Sequence, residues 1–511
     1  MGEARLSARL GSLGRRASDW YDREGAEGRA VWIFLALFVV VWTLFQIIVF
    51  WSICKHVDVY EVFAWSRHPA AGYYKHPPLA ALIAAVWFAI FPAADWSFDL
   101  LAALNAAVAL FAVDLIARRY VAADRRLLVL LLLLLTPFYQ FYGQRFNPNA
   151  VLLSTWPIAT YCFLRAFETR SIGWSVAAGV AAALAMLAKY YSIYLVAGFI
   201  VAALSHPRRS DYLRSPAPWV SILSGLAVLA PHLVWLARSG PWPLRYPLAS
   251  SVSGSIAERL TAALAYVAGG VAYVALLLGV YLLAARPTRR LLAKTFWPAE
   301  PDRRLLMVLL AVPLLLPVAT MLISDVVVKP LWTMPAWFLL PIILLAPTEI
   351  SAPRLATTRI ALAAALMTVV IFATPVIAWR DFLVEAQGGQ VFCRAASDAL
   401  TRAWRAAMGR PLAIATGNLE LSAAAGFYSP DHPDVALDYV WGPSLVSDDR
   451  RMRDGWAFVC FIDRPKCLER GEAVTEGRSG VARVEKDVAA SFFGLATVGT
   501  KVVFFLIPQQ R

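Results

Sequence analysis

The sequence predicts a mainly α-helical, polytopic membrane protein of about 11–13 transmembrane helices, with a small C-terminal α+β domain on the outer face. Three observations carry this expectation. Of 511 residues, 59% are hydrophobic and only 16% charged, with a mean hydropathy of +0.60, which is more apolar side chain than a single soluble core can bury. Apolar runs long enough to span a bilayer recur from Val31 to Ala378. The net charge of +14 is also divided: from Asp381 onward there are 15 Lys+Arg against 16 Asp+Glu, so the membrane part carries +15 and the C-terminal part −1. That excess belongs to membrane topology and suits anionic, lipid-like substrates; nucleic acid has no route to such a surface.

Residues 1–30 carry Arg5, Arg9, Arg15, Arg16, Arg23 and Arg29 without an apolar period, so the positive-inside rule places them in the cytoplasm. The run Val31–Ile53 is long enough to span and no small-residue cleavage site follows it, so it reads as a retained helix. Asp58 then lies outside. Arginine-rich loops at Arg118–Arg126, Arg165–Arg170, His206–Arg214, Arg286–Arg304 and Pro347–Arg359 fall inside. Asn147-Pro-Asn149, Lys189-Tyr-Tyr, Ser239–Arg259 and Ser324–Trp332 fall outside, and a last span, Ile360–Ala378, delivers the C-terminal part outside. Between Lys75 and Asn149 the runs Pro78–Ala93, Leu100–Ala117 and Leu127–Leu135 must make an even number of crossings, so one of them is short, tilted or re-entrant.

After Arg380 the apolar runs shrink to strand length: Leu412–Ala415, Trp456–Ile462 and Lys501–Ile507, with a turn at Ser429–Pro433 and a helix over Ala395–Met408. The division is therefore a cytoplasmic segment 1–30, a membrane domain 31–380, and an extracytoplasmic α+β domain 381–511. No zinc-type spacing occurs among Cys54, Cys162, Cys393, Cys460 and Cys467. An oxidising compartment would let Cys460 and Cys467 pair, with Cys393 left over.

Chemistry concentrates between the first two apolar runs. Asp58 and Glu61 share a helical face at a span's outer end, where a carboxylate acts as general base toward a hydroxyl or holds a divalent metal; the plain alternative is a pair of solvated loop acids. The chain has 40 Arg but 8 Lys, and up to residue 380 the lysines are Lys55, Lys75, Lys189, Lys294 and Lys329. Four of these map to the outer face, where the topology rule gives no reason for cations, so they read as a phosphate cradle, joined by His76, Arg145 and Arg245. Each alone could instead snorkel to the headgroups. His232, near a span's outer end, is either a metal ligand or a hydrogen-bonded core residue. Trp65, Tyr73, Tyr74, Trp242, Tyr246 and Trp332 suit an interfacial belt or a sugar-stacking surface.

Asp58-x-x-Glu61, Trp65-Ser-Arg-His68 and Gly72-Tyr-Tyr-Lys-His-Pro-Pro-Leu79 resemble the first outer loop of GT-C glycosyltransferases of the protein O-mannosyltransferase and aminoarabinose transferase type, glycosyltransferase family 39. Thr136-Pro137, Asn147-Pro-Asn-Ala-Val-Leu-Leu153, Trp156, Leu187-Ala-Lys-Tyr190 and Lys329-Pro-Leu-Trp-Thr-Met-Pro335 extend the likeness over most of residues 30–346. The resemblance implies inverting transfer of a sugar from a polyprenyl-phosphate carrier to a lipid, glycan or protein acceptor at the outer face of the cytoplasmic membrane, with phosphate as leaving group. It makes Asp58 the base or acceptor-orienting acid, turns Lys75-His76 toward the phosphate or a metal, and makes Asn149, Tyr74 and Trp332 contacts to sugar or acceptor. Two departures stand out. Relatives often have Asp-Glu adjacent, whereas here Val59 follows Asp58 and Glu61 lies one turn on. Many have an acid at Asn149, and an amide cannot act as a base, so Glu61 is the residue expected to compensate. A divalent metal held by Asp58, Glu61 and His232 is the one cofactor considered.

Two other classes compete. A lipid-linked sugar flippase would place ionisable groups near the midplane and often repeats its halves, neither of which is seen here. A non-catalytic assembly protein would use the C-terminal domain as its binding surface. The Arg- and Ala-rich composition suits a bacterium with a GC-rich genome, hence an undecaprenyl or decaprenyl carrier.

Overall fold

The computed structural model describes residues 28–51, 53–241, 243–244, 255–347, 353–376, 389–436, 444–492, 494 and 496–510. The helices are α1 (Arg29–Val49), α2 (Val57–Ser66), α3 (Leu79–Phe88), α4 (Asp95–Tyr120), α5 (Arg126–Leu134), α6 (Pro137–Gln140), α7 (Pro148–Thr169), α8 (Ile172–Ala188), α9 (Ile193–Ser205), α10 (Arg209–Leu213), α11 (Ala217–Ser239), α12 (Ile256–Ala285), α13 (Arg289–Phe296), α14 (Pro301–Ile323), α15 (Leu339–Leu345) and α16 (Pro353–Phe372). The C-terminal domain adds α17 (Gly389–Met408), β1 (Ile414–Gly417), α18 (Leu419–Tyr428), β2 (Asp434–Val435), α19 (Asp448–Asp454), β3 (Trp456–Phe461), α20 (Pro465–Thr475), β4 (Ala482–Phe492) and β5 (Ala496–Ile507).

Ion pairs mark the two ends of the membrane bundle. At one end Asp114 takes Arg118 and Arg126, Arg119 meets Glu168, and His206 meets Asp302 at 3.1 Å. At the other end Lys55 meets Asp99 at 2.5 Å, Lys75 meets Glu61 at 2.6 Å, and Lys189 bonds Asn149 at 2.7 Å. Among the described residues, seven helices are long and apolar enough to cross a membrane, or eight if the bent pair Ala123–Leu134 with Pro137–Gln144 is one span. The apolar helices α3, α8 and α9 are shorter than that, so by length and composition the number of spans is below the expected 11–13.

The run Pro78–Ala93 does not cross. Its helix α3 is ten residues long, follows directly on Lys75, and hands over to Asp95, whose carboxylate lies 4.0 Å from Lys55 at the same end. Phe63 and Phe88 meet edge to face at 5.2 Å, so α3 lies against α2. This settles the parity between Lys75 and Asn149.

Small residues let two spans approach closely. A Cβ on Gly179 of α8 would run into the Ser221 carbonyl of α11, and one on Gly225 would lie 3.1 Å from the Gly179 carbonyl. Ser221 Oγ donates to the Ser175 carbonyl at 2.8 Å across the same seam.

The C-terminal sheet has the order β2-β1-β3-β5-β4, with β1 parallel to β2 and β3, and β5 antiparallel to β3 and β4. Strands β1 and β3 fall within two residues of the expected apolar runs, and β5 ends where expected but begins five residues earlier, at Ala496. Strand β4 was not expected, because Arg483, Glu485, Lys486 and Asp487 break its apolar pattern; as an edge strand it needs only one packed face, and charge there discourages further pairing. Cys460 and Cys467 pair, and Cys393 is not left over: it is joined to Cys54, 339 residues earlier. The free cysteine is Cys162.

Gly179→Val should cost about 1–3 kcal/mol, since the obstacle is backbone that cannot rotate away. Thermal unfolding in detergent checks this; an unchanged midpoint would mean that α8 and α11 do not meet as described.

Candidate active site

Helix α2 carries the first-loop acids. His56 caps it, its Nδ1 accepting from the Asp58 backbone N–H at 3.3 Å. Two turns later the chain reverses: Tyr73 stacks on Trp65 at 5.4 Å and its hydroxyl lies 3.0 Å from the carbonyls of both Trp65 and His68. Gly72 is required here, because a Cβ would strike the Trp235 ring of α11. This reversal returns Lys75 under the helix. Its ammonium sits 2.6 Å from Glu61 Oε2 and 3.8 Å from Asp58 Oδ1.

The two acids are therefore not equivalent. Glu61 is 1% exposed and engaged by Lys75, so no substrate hydroxyl reaches it in this arrangement, whereas the Asp58 side chain is 31% exposed. Asp58 also accepts from Asn147 Nδ2 at 3.3 Å. Asn147 caps α7 with its other side-chain atom, accepting from the Ala150 N–H at 3.0 Å, which holds the donor rigidly. Arg145 is close enough to influence both Asp58 and His56, and lies over the Phe141 ring at 5.0 Å; burial outweighs its acidic neighbour and lowers its pKa.

Lys189 is the next element. It ends α8, is buried, donates to Asn149 Oδ1 at 2.7 Å, and lies 3.9 Å from the Trp332 ring centroid. Among the described residues no carboxylate stands within ion-pair distance of it. Burial is the main cause that brings its pKa down to about 7; Lys75 and Lys329 push the same way, and Asp58 opposes them. Lys329, exposed at the start of the Pro330–Ala336 turn, is thus close enough to complete a cationic group.

Four expectations change. His76 adds no charge, because burial and the neighbouring Lys189 and Lys75 hold its pKa well below the usual histidine value. Lys75 belongs to the buried acid before it belongs to any phosphate. Lys55 stands apart, on Asp99. His232 is a hydrogen-bonded histidine: Nδ1 lies 2.6 Å from the Ala71 carbonyl and must donate, and Nε2 lies 2.7 Å from the Tyr190 hydroxyl, so no lone pair is left for a metal. Among the described residues no group of three His, Cys, Asp or Glu stands ready to hold a metal. Arg245, Trp242 and Tyr246 lie outside the described residues. Tyr74 bonds the Ser444 carbonyl at 3.1 Å, and His68 bonds Asp434 at 2.8 Å, so both serve contact with the C-terminal domain.

The sequence reading missed His56, Asn147 and the domain contact. Residue type did signal Asn147, an asparagine immediately before a helix where an N-cap belongs, but not His56.

Residues 75–235 match the family model described as dolichyl-phosphate-mannose-protein mannosyltransferase, a stretch that contains Lys75, Asn149 and Lys189. Over nearly the whole chain the structure superposes on ArnT from Cupriavidus metallidurans bound to undecaprenyl phosphate, with TM-score 0.59 and 15% identity, covering 94% of this chain and 98% of that one. The chain has the fold of ArnT. The apo form of ArnT gives the same TM-score at 14% identity and the same coverage. No curated protein matches in sequence. The ArnT likeness includes the C-terminal domain, since a match over 94% cannot leave out a quarter of the chain, and it bears out the resemblance read from the first loop.

Lys75→Ala should destabilise the protein by about 3–5 kcal/mol, because it strands the Glu61 carboxylate in a buried site. Glu61→Gln combined with Lys75→Met should recover most of that loss. Equal unfolding midpoints for Lys75→Ala and wild type would show that Glu61 does not depend on Lys75.

Proposed function

We propose that the protein is a membrane glycosyltransferase that moves a sugar from a polyprenyl-phosphate carrier to an acceptor hydroxyl, at the outer face of a bacterial cytoplasmic membrane, with its N-terminus inside and its C-terminal domain outside. The observation that carries this is the juxtaposition of one accessible carboxylate, Asp58, with a cationic pair, Lys189 and Lys329, that lacks matching acids among the described residues. The match of residues 75–235 to a family that uses dolichyl-phosphate mannose, and the fold shared with an undecaprenyl-phosphate-bound protein, support a polyprenyl carrier. A flippase gains nothing from an acid placed beside a phosphate site.

The chemistry follows from the charges. Asp58 accepts the proton of the acceptor hydroxyl as its oxygen attacks the anomeric carbon from the face opposite the phosphate. The bond from that carbon to the phosphate oxygen breaks, and polyprenyl phosphate leaves with the electron pair. Lys189 and Lys329 receive the charge that gathers on the departing phosphate, in a setting where burial makes each cation count for more. Asn149, bonded to Lys189, aims the ammonium and replaces the acid of relatives without quenching its charge. Glu61 acts indirectly by fixing Lys75, whose ammonium stands 3.8 Å from Asp58 Oδ1. Among the described residues no three His, Cys, Asp or Glu side chains come together as a metal site.

Asp58→Asn should abolish transfer from undecaprenyl-phosphate-linked mannose or aminoarabinose, used as trial donors with envelope lipid and protein fractions, while leaving binding of undecaprenyl phosphate within about twofold. Wild-type turnover by that variant would remove Asp58 as the base. Binding should also depend on pH with a defined sign. In the empty site Lys189 is protonated only below about pH 7. A bound phosphate raises that value, so affinity should fall as pH rises above about 7, by up to tenfold per unit. Lys189→Arg stays charged, and its affinity for undecaprenyl phosphate should be flat from pH 7 to about 9. Parallel pH curves for the two proteins would show that Lys189 does not contact the phosphate.

A further inference from the structure

Helix α2 has a second face. Opposite Asp58 and Glu61 it presents Tyr60, Phe63 and Arg67 to the C-terminal domain. Phe427 meets Phe63 at 5.0 Å and Tyr60 at 5.5 Å, and Arg67 donates to the His432 carbonyl. His68 continues the contact to Asp434, which Arg450 also holds at 2.5 Å.

Within this contact runs a hydrogen-bonded chain whose direction is determined. Tyr428 donates to Asp95 Oδ1 at 2.9 Å, so its oxygen is left to accept. The Tyr60 hydroxyl, 2.7 Å away, therefore donates to Tyr428, and itself accepts from the Lys55 backbone N–H at 2.8 Å. Burial raises both phenols above their ordinary value, so each keeps its proton. Asp95 Oδ2 receives Arg394 at 2.8 Å, and Arg394 also donates to the carbonyls of Phe50 and Trp51 at 2.9 and 3.1 Å. Next to Arg394, Cys393 is bonded to Cys54, two residues before the cap of α2. The end of α1, the start of α4, the entry to α2 and the C-terminal domain thus share one half-buried polar junction.

We infer that Tyr428 is a positioning residue for the reaction: through Tyr60 it sets the orientation of α2, and so the place of Asp58 relative to Lys75 and Asn147. The C-terminal domain is then a working part of the site and not a cover. The lever is short, since Tyr60 lies between the two acids on a ten-residue helix too small to hold its own shape. The inference rests on the proposed role of Asp58 for its functional meaning, but its first readout does not.

The test is amide hydrogen exchange on full-length Tyr428→Phe, Tyr60→Phe and the double variant. Phenylalanine keeps the rings packed and removes only the hydroxyls. Residues 57–66 should exchange about tenfold faster in either single variant, as expected when the Tyr60–Tyr428 hydrogen bond is lost, with β3, β5 and α7 unchanged. The double variant should fall short of the sum of the singles, because the Tyr60–Tyr428 bond is lost in both and counts only once. Unchanged exchange over 57–66, additive loss in the double variant, or loosening that spreads equally through β3 and β5 would each overturn the inference. With the trial donors, the single variants should lower kcat about tenfold and leave KM for donor within about twofold; a raised KM at constant kcat would assign the contact to donor binding instead and overturn it as well. Faster exchange over 57–66 in a protein whose wild type transfers no sugar would sink the proposed function while upholding the positioning role of Tyr428.

Discussion

A carboxylate as deeply buried as Glu61 survives ionised only beside a cation, and Lys75 at 2.6 Å supplies it. Much of the local architecture serves that pairing. The reversal after His68, the Tyr73 hydroxyl between two carbonyls, and the glycine that lets the loop lie on Trp235 all bring Lys75 back beneath α2. Because the pair is internal, its charges largely cancel. Asp58 keeps its access to solvent, and the positive field of the site comes from Lys189 and Lys329, further along the chain.

The two ends of the bundle manage charge differently. Away from the site, Asp114 is fully buried but held by Arg118 and Arg126 together, a closed arrangement suited to holding helices. At the site end Lys189 faces an amide and an aromatic ring. Substituting an acid at Asn149 would close that end too, and would leave less field for an incoming anion.

Much of this was legible in the chain. Apolar run length marked the long spans, the scarcity of lysine singled out Lys75, Lys189 and Lys329, and the density of polar groups from Asp58 to Leu79 marked the candidate site. What local spacing does not carry is partnership at long range. Nothing near Cys54 points to Cys393, nothing near Tyr60 points to Tyr428, and Lys75 could not be told from Lys189 until Glu61 was seen beneath it. The run Pro78–Ala93 matched a crossing helix in composition, and only the position of Asp95 beside Lys55 shows that it turns back. His76 looked cationic by type, but its surroundings decide its charge.

The order in which the molecule is made gives the Cys54–Cys393 bond a further meaning. Asp58 leaves the ribosome early, whereas the groups that brace its helix, from Cys393 to Asp434, leave last. During synthesis the membrane helices can insert and pair while one side of α2 still lacks its neighbours. Completion is thereby built into the fold: a chain released before its final domain would be a membrane bundle whose α2 lacks the groups that brace it.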